Sequence, residues 1–378
     1  MNIKEFKAGV WTQQPTGYRS FMPVEINHTF VWSDAELNVL LEKATLRLGE
    51  LNSYSQFVPN IGMFIRMHVV KEATVSSKIE GTQTNIEEAL MKEHDVSPER
   101  RDDWTEVNNY ILALNQALTR LYVLPLSSRL LRETHSKLMQ GVRGHHKLPG
   151  EFRTSQNWIG GASLTDAVFV PPHYGEIGRL MGDLENFMHS ETIGVPYLVK
   201  IAIAHYQFET IHPFLDGNGR LGRLMIMLYL IDNQMLKEPI LYLSDYFERH
   251  KLLYYENLAV VRQKGDLAQW LKFFLVGVTQ TVEKAINSLN AIMHLKQEAE
   301  NQLLTLGKKA PMAKKLLDSL YGQPVISATD VAEQLGISAV STYKLLDDFQ
   351  RLGILKEATG FKRNRIFLYE RYLAVFHS

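Results

Sequence analysis

The sequence predicts a mainly α-helical protein with one small β-hairpin and a C-terminal winged helix-turn-helix domain. Three observations predict it. From Ser33 onward, apolar residues recur at helical spacing through most of the chain. Residues 221–236, LGRLMIMLYLIDNQML, are apolar nearly all round, the mark of a helix at the centre of a bundle. Residues 327–369 read as helix, turn, helix and then two strands around Gly360. The length of 378 residues fits two or three domains, and a 45% hydrophobic content with 22% charged residues suits packed cores.

The elements follow in order. The first 35 residues, with Pro15, Gly17, Pro23 and Asn27, read as irregular. A helix over 33–52 opens with a capping signal, Ser33 followed by Glu36. In 73–90, ATVSSKIEGTQTNIEEAL, a helix stops at Gly81 and another is capped by Thr84 with Glu87. Residues 104–123, 127–140, 175–190 and 195–210 read as four further helices. The segment 141–174 holds Gly141, Gly144, Gly150, Gly160 and Gly161 and closes on Pro171-Pro172. It reads as a loop region in which 157–159 and 167–170 form a hairpin. Residues 245–305 read as several helices, the last one long, and GKKAP (307–311) as a stop and linker. The expected organisation is an N-terminal region over 1–100, a core over 101–306 and a winged-helix domain over 311–378.

Charge and composition exclude several classes. Lys+Arg and Asp+Glu are both 41, which argues against a chain whose main task is coating nucleic acid or an anionic membrane. With no cysteine, disulfides, thiolate metal sites and a cysteine nucleophile are ruled out. The longest tight apolar run, Leu224 to Ile231, is too short to span a bilayer. No apolar segment follows the first lysines as a secretion signal would require, so a cytoplasmic location is expected.

The sharpest chemical signal is HPFLDGNGRLGR, residues 212–223. His212 precedes a proline and is pushed out of helical geometry, so the preceding helix ends there. Asp216-Gly217-Asn218-Gly219 can turn through positive φ at several positions and point successive N–H groups into one concavity. The buried helix then begins at about Arg220 and adds its N-terminal N–H groups and dipole. Arg220 and Arg223 share its first turn. A nest, a helix N-terminus, two guanidinium groups, a carboxylate and an imidazole together suit a magnesium-bound polyphosphate and a general base. A plain Gly-rich helix-to-helix turn is the alternative. A metal held by His205, Glu209 and His212 is another, since 205 and 209 share a helix face.

This segment resembles the signature of the Fic (filamentation induced by cyclic AMP) family, HPFx[DE]GNGRxxR, and matches all nine specified positions. The resemblance implies a Fic-type helical bundle with a β-hairpin flap. It implies transfer of AMP from ATP to a Ser, Thr or Tyr hydroxyl of a protein, with release of pyrophosphate. Residue by residue, His212 would be the general base and Asp216 the Mg²⁺ ligand. Gly217, Asn218 and Gly219 would cradle phosphates through N–H groups and the Asn amide. Arg220 and Arg223 would pair with phosphate oxygens, Arg223 with the terminal one. Phe214 is read as the core anchor of the loop.

Two further segments extend the resemblance. Ser76-Ser77-Lys78-Ile79-Glu80-Gly81 resembles the Fic inhibitory motif [ST]xxxE[GN], placed N-terminal to the core as in class II members. Independently of that likeness, Glu80 sits at a helix C-terminus, where the dipole disfavours an anion. By resemblance Glu80 would pair with Arg223, take the place of the terminal phosphate and autoinhibit the enzyme. In some relatives the same glutamate serves removal of AMP, a second reading. Residues 154–173 resemble the flap, with Ile159, Gly160, Gly161 and Ala162 facing the nucleotide. YYENLAVVRQKGD (254–266) resembles a nucleotide-contacting segment through Tyr254. It departs from the family by carrying Arg262 where Asn is common and by one extra residue before Gly265-Asp266. A homodimer and modification of its own chain are also implied by the likeness.

The C-terminal module has nine Lys/Arg and seven Asp/Glu over 311–378. Its second helix carries Lys344 but also Asp347 and Asp348, and only the wing, Lys362, Arg363 and Arg365, is basic. Phosphate contacts dominate DNA affinity, so a DNA-binding regulator is the weaker reading.

Overall fold

Two helices with no polar side organise the molecule. The computed structural model describes residues 1–58, 61–141, 147–360 and 365–377, without the side chain of Met63. Gly144, Lys362 and Arg363 lie outside the described residues. Helices α1 (Ala35–Phe57), α2 (Ile61–Ile79), α3 (Ile86–Leu90), α4 (Arg101–Leu121) and α5 (Ser128–Leu138) come first. They are followed by α6 (Ile177–His189), α7 (Tyr197–Ile211) and α8 (Asn218–Asp232). In α7 every residue from Leu198 to Ile211 is buried, and in α8 the run from Arg220 to Leu230 is too. A helix with no solvated stripe must be surrounded. Here α6 and α8 flank α7, while α4, α5 and α2 pack on α8. Helices α9 (Ser244–Arg249), α10 (Lys251–Lys264) and the long α11 (Leu267–Leu303) complete this part, with α1 lying along α11.

The N-terminal 35 residues correct the expectation of an irregular start. Strands β1 (Gly9–Gln13) and β2 (Arg19–Pro23) pair antiparallel, from Gly9 opposite Pro23 to Gln13 opposite Arg19. Strand β1 is mostly exposed, so it shows no apolar alternation for a pattern to detect. Tertiary contacts hold it instead. Trp11, Phe21 and Phe169 form an aromatic cluster, and Phe21 N–H donates to Val170 O at 2.9 Å. Two caps also shift by one residue. Asp34, not Ser33, accepts from Leu37 N–H, and α3 is closed by a capping box of Asn85 and Glu88 rather than Thr84 and Glu87.

The last part runs α12 (Ala310–Leu320), β3 (Val325–Ser327), α13 (Ala328–Leu335), α14 (Ala339–Arg351), β4 (Lys356–Glu357), β5 (Ile366–Leu368) and α15 (Glu370–His377). Its sheet has the antiparallel order β3-β5-β4. Helix α15, absent from the sequence reading, returns to the core. Phe376 packs edge-on to His68 of α2, and Arg371 pairs with Glu298 of α11 at 2.8 Å. Among the described residues no helix is long and apolar enough to cross a membrane.

Candidate active site

The loop between α7 and α8 is shaped by a proline and a glycine. His212, held before Pro213, takes left-handed dihedrals (φ 51°, ψ 61°) and ends α7. Gly217 is left-handed as well (φ 74°) and caps α8. Helix α8 therefore begins at Asn218, two residues earlier than expected, and Gly219 is already helical. The amides of Asn218, Gly219 and Arg220 precede the first intrahelical bond, Leu221 N–H to Gly217 O. Unsatisfied donors at a helix start favour an anion.

The Asn218 amide does not face a ligand. Its Oδ1 accepts from Phe214 N–H and its Nδ2 donates to Phe214 O, both at 2.9 Å. The side-chain amide expected at a phosphate is thus engaged as a loop staple. Phe214 is fully buried and stacks on His135 at 3.9 Å between ring centres. His135 Nδ1 accepts from Gly150 N–H, so Nε2 carries the proton donated to Asp216 O at 2.9 Å. Burial pushes this imidazole down to about 4, which keeps it neutral.

Arg153 braces the same loop from the flap side. Its guanidinium donates to the carbonyls of His212 (2.9 Å), Pro172 (2.6 Å) and Ser155 (3.2 Å). Asn157 Nδ2 adds a bond to Phe214 O at 2.9 Å. The flap is a single antiparallel bridge, Ile159 with Phe169, bonded both ways at 2.8 and 3.1 Å. Its turn is tied by Asp166, whose carboxylate accepts from the amides of Ala162 and Ser163. Arg262 lies 4.1 Å over the Phe169 ring, so it props the flap base.

The two loop arginines have different partners. Arg220 donates to Glu106 at 3.0 Å in a buried pair. Arg223, with its side chain 1% exposed, donates from Nε to Ser76 Oγ (2.9 Å) and from Nη2 to both Ser76 O (2.8 Å) and Glu80 Oε1 (2.7 Å). A Cβ on Gly219 would overlap the Glu80 carboxylate. The carboxylate therefore rests on the first turn of α8. Burial works to raise the Glu80 carboxyl, but the Arg223 guanidinium prevails and holds it below the usual carboxylate range. Helix α2 ends at Ile79, whose carbonyl accepts from Lys251 Nζ at 2.6 Å. Lys251 and Arg223 thus offset the dipole conflict that Glu80 would otherwise meet.

His212 is the half-buried imidazole of the loop. Burial, and then the Arg153 charge, push it down to about 4, so it is neutral at pH 7 and able to accept a proton. Asp216 is about half exposed; its Oδ1 accepts from Gly217 N–H at 2.6 Å and lies 3.9 Å from Arg220. The metal reading through His205 fails on donors. His205 Nδ1 meets Gly222 O at 3.0 Å and Nε2 meets the Tyr254 hydroxyl at 2.8 Å. Among the described residues no three His, Asp or Glu side chains gather to hold a metal. Tyr254, expected at the nucleotide, is 1% exposed with its hydroxyl on His205. Gly265 and Asp266 join α10 to α11 as successive caps.

The structure therefore brings Ser76, Glu80, His212, Asp216, Gly217, Gly219, Arg220 and Arg223 together around one loop. It holds the Tyr254 hydroxyl on His205 and turns the Asn218 side chain inward. Sequence reasoning missed Glu106, His135 and Arg153. No local motif marks them, because each acts on the loop from a distant element.

Comparison with known proteins agrees with this geometry. Residues 38–119 match the Fic/DOC family N-terminal region and residues 125–230 match the Fic/DOC family. The protein adenylyltransferase Fic of Aedes aegypti is 29% identical over 189 residues, covering 50% of this chain and 33% of the relative. That of Culex quinquefasciatus is 30% identical over 146 residues, covering 38% of this chain and 26% of the relative. The chain thus spans a third or less of the length of these curated relatives. A Fic family protein from Desulfovibrio desulfuricans G20 shares the fold at a TM-score of 0.56 and 20% identity, over 89% of this chain and 96% of that one. Fic-1 (residues 134–508) from C. elegans does so at 0.50 and 19%, over 68% and 73%. In residues 38–230 the chain carries the N-terminal and core segments of the Fic/DOC family, on a fold that this family shares.

Proposed function

We propose that this chain transfers AMP from ATP to a Ser, Thr or Tyr hydroxyl of a protein and is restrained by Glu80. One observation carries the reading. A carboxylate from a distant helix rests on the first turn of α8 and pairs with the buried Arg223. A corner that holds an anion so tightly is built for anions, and a polyphosphate is the anion that matches its donors.

The steps follow from charge and reach. His212, neutral through burial, takes the proton of the target hydroxyl. The freed oxygen attacks the α-phosphorus of ATP, and the bond to the bridging oxygen breaks. Pyrophosphate leaves with that electron pair. The amides at the start of α8 and the guanidinium groups of Arg220 and Arg223 receive the phosphate oxygens. Asp216 suits Mg²⁺: it is one exposed carboxylate beside the phosphate corner, and this ion fills its shell with waters and phosphate oxygens. An ion held by Asp216 would supply neutralisation of phosphate charge. With Glu80 seated on Arg223, the terminal phosphate loses its partner and ATP cannot settle productively. The flap, with Val168 and Trp158 exposed, offers an edge for a target segment by strand addition.

We assign the 311–378 module as a winged helix used for protein contact, including pairing of two copies and modification of the chain itself. Asp348 on α14 is bound to Lys309 at 2.6 Å and Arg351 at 2.5 Å, so this helix offers little surplus positive charge to DNA.

Intact-mass analysis with ATP and Mg²⁺ tests the reading on the natural chain, Glu80→Gly and Glu80→Gly/His212→Ala. AMP adducts are expected on Glu80→Gly, or on a protein added with it, and on neither of the others. No adduct from any of the three, with labelled target mixtures included, overturns it.

A further inference from the structure

A second anion corner lies on the other side of α2. A cleft of about 390 Å³ opens between α2, the 81–86 turn, α9, α11 and the end of α15. Lys71, Thr82, Thr84, Arg249 and Lys284 line it. A narrow cavity of about 40 Å³ continues inward, and the two share Lys71, Val75, Asp245, Lys284 and Phe376.

Charge in this cleft is unbalanced. Three cations converge on one carboxylate: Asp245 meets Lys284 at 2.8 Å, Arg249 at 2.8 Å and Lys71 at 3.8 Å. At its rim Lys78 pairs with Glu248 at 2.8 Å, and the His377 ring meets Glu87 at 2.8 Å. At the inner end Glu72 accepts from Tyr110 and Ser244, and burial pushes its carboxyl up toward the neutral form. Around Asp245 the cations Lys71, Arg249 and Lys284 therefore outnumber the carboxylate. Burial, opposed by Asp245 and reinforced by Lys284 and Arg249, pushes Lys71 down to about 8, the mark of a cation short of counter-charge.

The donors are also unspent. Thr82 and Thr84 are each 3% exposed, and among the described residues neither hydroxyl has a hydrogen-bond partner. A buried hydroxyl without a partner costs about 1–3 kcal/mol, so an acceptor brought to this wall relieves two such costs. A dianion with several acceptor oxygens satisfies the charge and the hydroxyls together.

We infer that this cleft binds a small phosphate-bearing ligand, held by Lys71, Lys284 and Arg249 with the Thr82 and Thr84 hydroxyls. The site is distinct from the α7–α8 loop and does not depend on the activity assigned to it.

Calorimetric titration of the full chain with inorganic phosphate at constant ionic strength tests the site. Saturable binding is expected, at least tenfold weaker in Lys71→Gln/Lys284→Gln and several-fold weaker in Thr84→Val. Asp245→Asn, which removes the competing carboxylate, is expected to tighten binding at least threefold, a gain that misfolding cannot imitate. Arg220→Ala, at the other anion corner, is expected to leave the affinity unchanged. The inference is overturned by no saturable binding to the natural chain, by equal affinity in the double lysine variant, or by loss of binding in Arg220→Ala.

Discussion

Arg153 spends its fork on carbonyl oxygens of Ser155, Pro172, Ile211 and His212. It is 2% exposed, and burial pulls its guanidinium down to about 10. The last carbonyls of α7 form the negative end of a helix dipole, which is what makes a buried cation tolerable there. The same bonds fix the backbone of His212 in a left-handed conformation that a residue with a side chain rarely adopts. Arg153 is thus a positioning residue for the proposed base, reaching it through the main chain. Hydrogen bonds to a charged group contribute about 1.5–3 kcal/mol each. Arg153→Met is expected to lower stability by about 3 kcal/mol or more, read from urea midpoints, because several carbonyls lose their donor at once. Arg153→Lys keeps the charge but not the planar fork, and should recover only part of the loss. A midpoint unchanged in Arg153→Met would remove Arg153 from this role.

At the scale of elements, α2 works as a bolt whose last turn closes on α8. Three of the contacts of its end run to Arg223, and only one of them is the ion pair with Glu80. Ser76 Oγ accepts from Arg223 Nε, so Ser76→Ala leaves that donor buried without its partner. Under the proposed restraint, Ser76→Ala is expected to raise AMP incorporation above the natural chain but below Glu80→Gly, in the same mass assay. Equal rates in Ser76→Ala and the natural chain would confine the restraint to the carboxylate. The loop was legible in the sequence because it is local, whereas the pairing of Glu80 with the distant Arg223 was expected only from the likeness of 76–81 to the Fic inhibitory motif. Ser76 and Glu80 share a helix face, and the proline and glycines of 212–219 dictate where one helix stops and the next starts. What stayed hidden is non-local. Strand β1 is exposed and held by aromatic contacts to Phe21 and Phe169, so its own pattern says little. Asn218 looked like a ligand-facing amide because spacing does not reveal which way a side chain turns at a helix start. Tyr254 was expected at a nucleotide by resemblance alone, and its hydroxyl partner His205 lies 49 residues earlier.

Across the whole molecule, the buried histidines set the response to acid. His68, His135 and His212 are each pushed down to about 4 by burial, and His205 to about 3. The folded chain keeps these imidazoles neutral, while the unfolded chain protonates them near 6.5. Unfolding below that pH therefore takes up protons, and stability falls as pH falls. Two buried carboxyls act in the opposite sense. Burial raises Glu72, and it raises Glu209 to about 7, so below that pH Glu209 keeps its proton in the fold and releases it on unfolding, and the shift of Glu72 works in the same sense. Four imidazoles outnumber these two carboxyls, so a net uptake of protons remains, each worth about 1.4 kcal/mol per pH unit. His68, His135 and His205 lie on α2, α5 and α7, and His212 caps α7, so the loss belongs to the part that holds the loop. Urea unfolding at pH 7.5 and 5.5 should show a clearly lower midpoint at 5.5 with an unchanged denaturant slope. Glu209→Gln removes one of the opposing carboxyls and should steepen the dependence. A midpoint that holds or rises on acidification would mean that these imidazoles are charged in the folded chain, and His212 would then arrive at its substrate already carrying the proton it is meant to take.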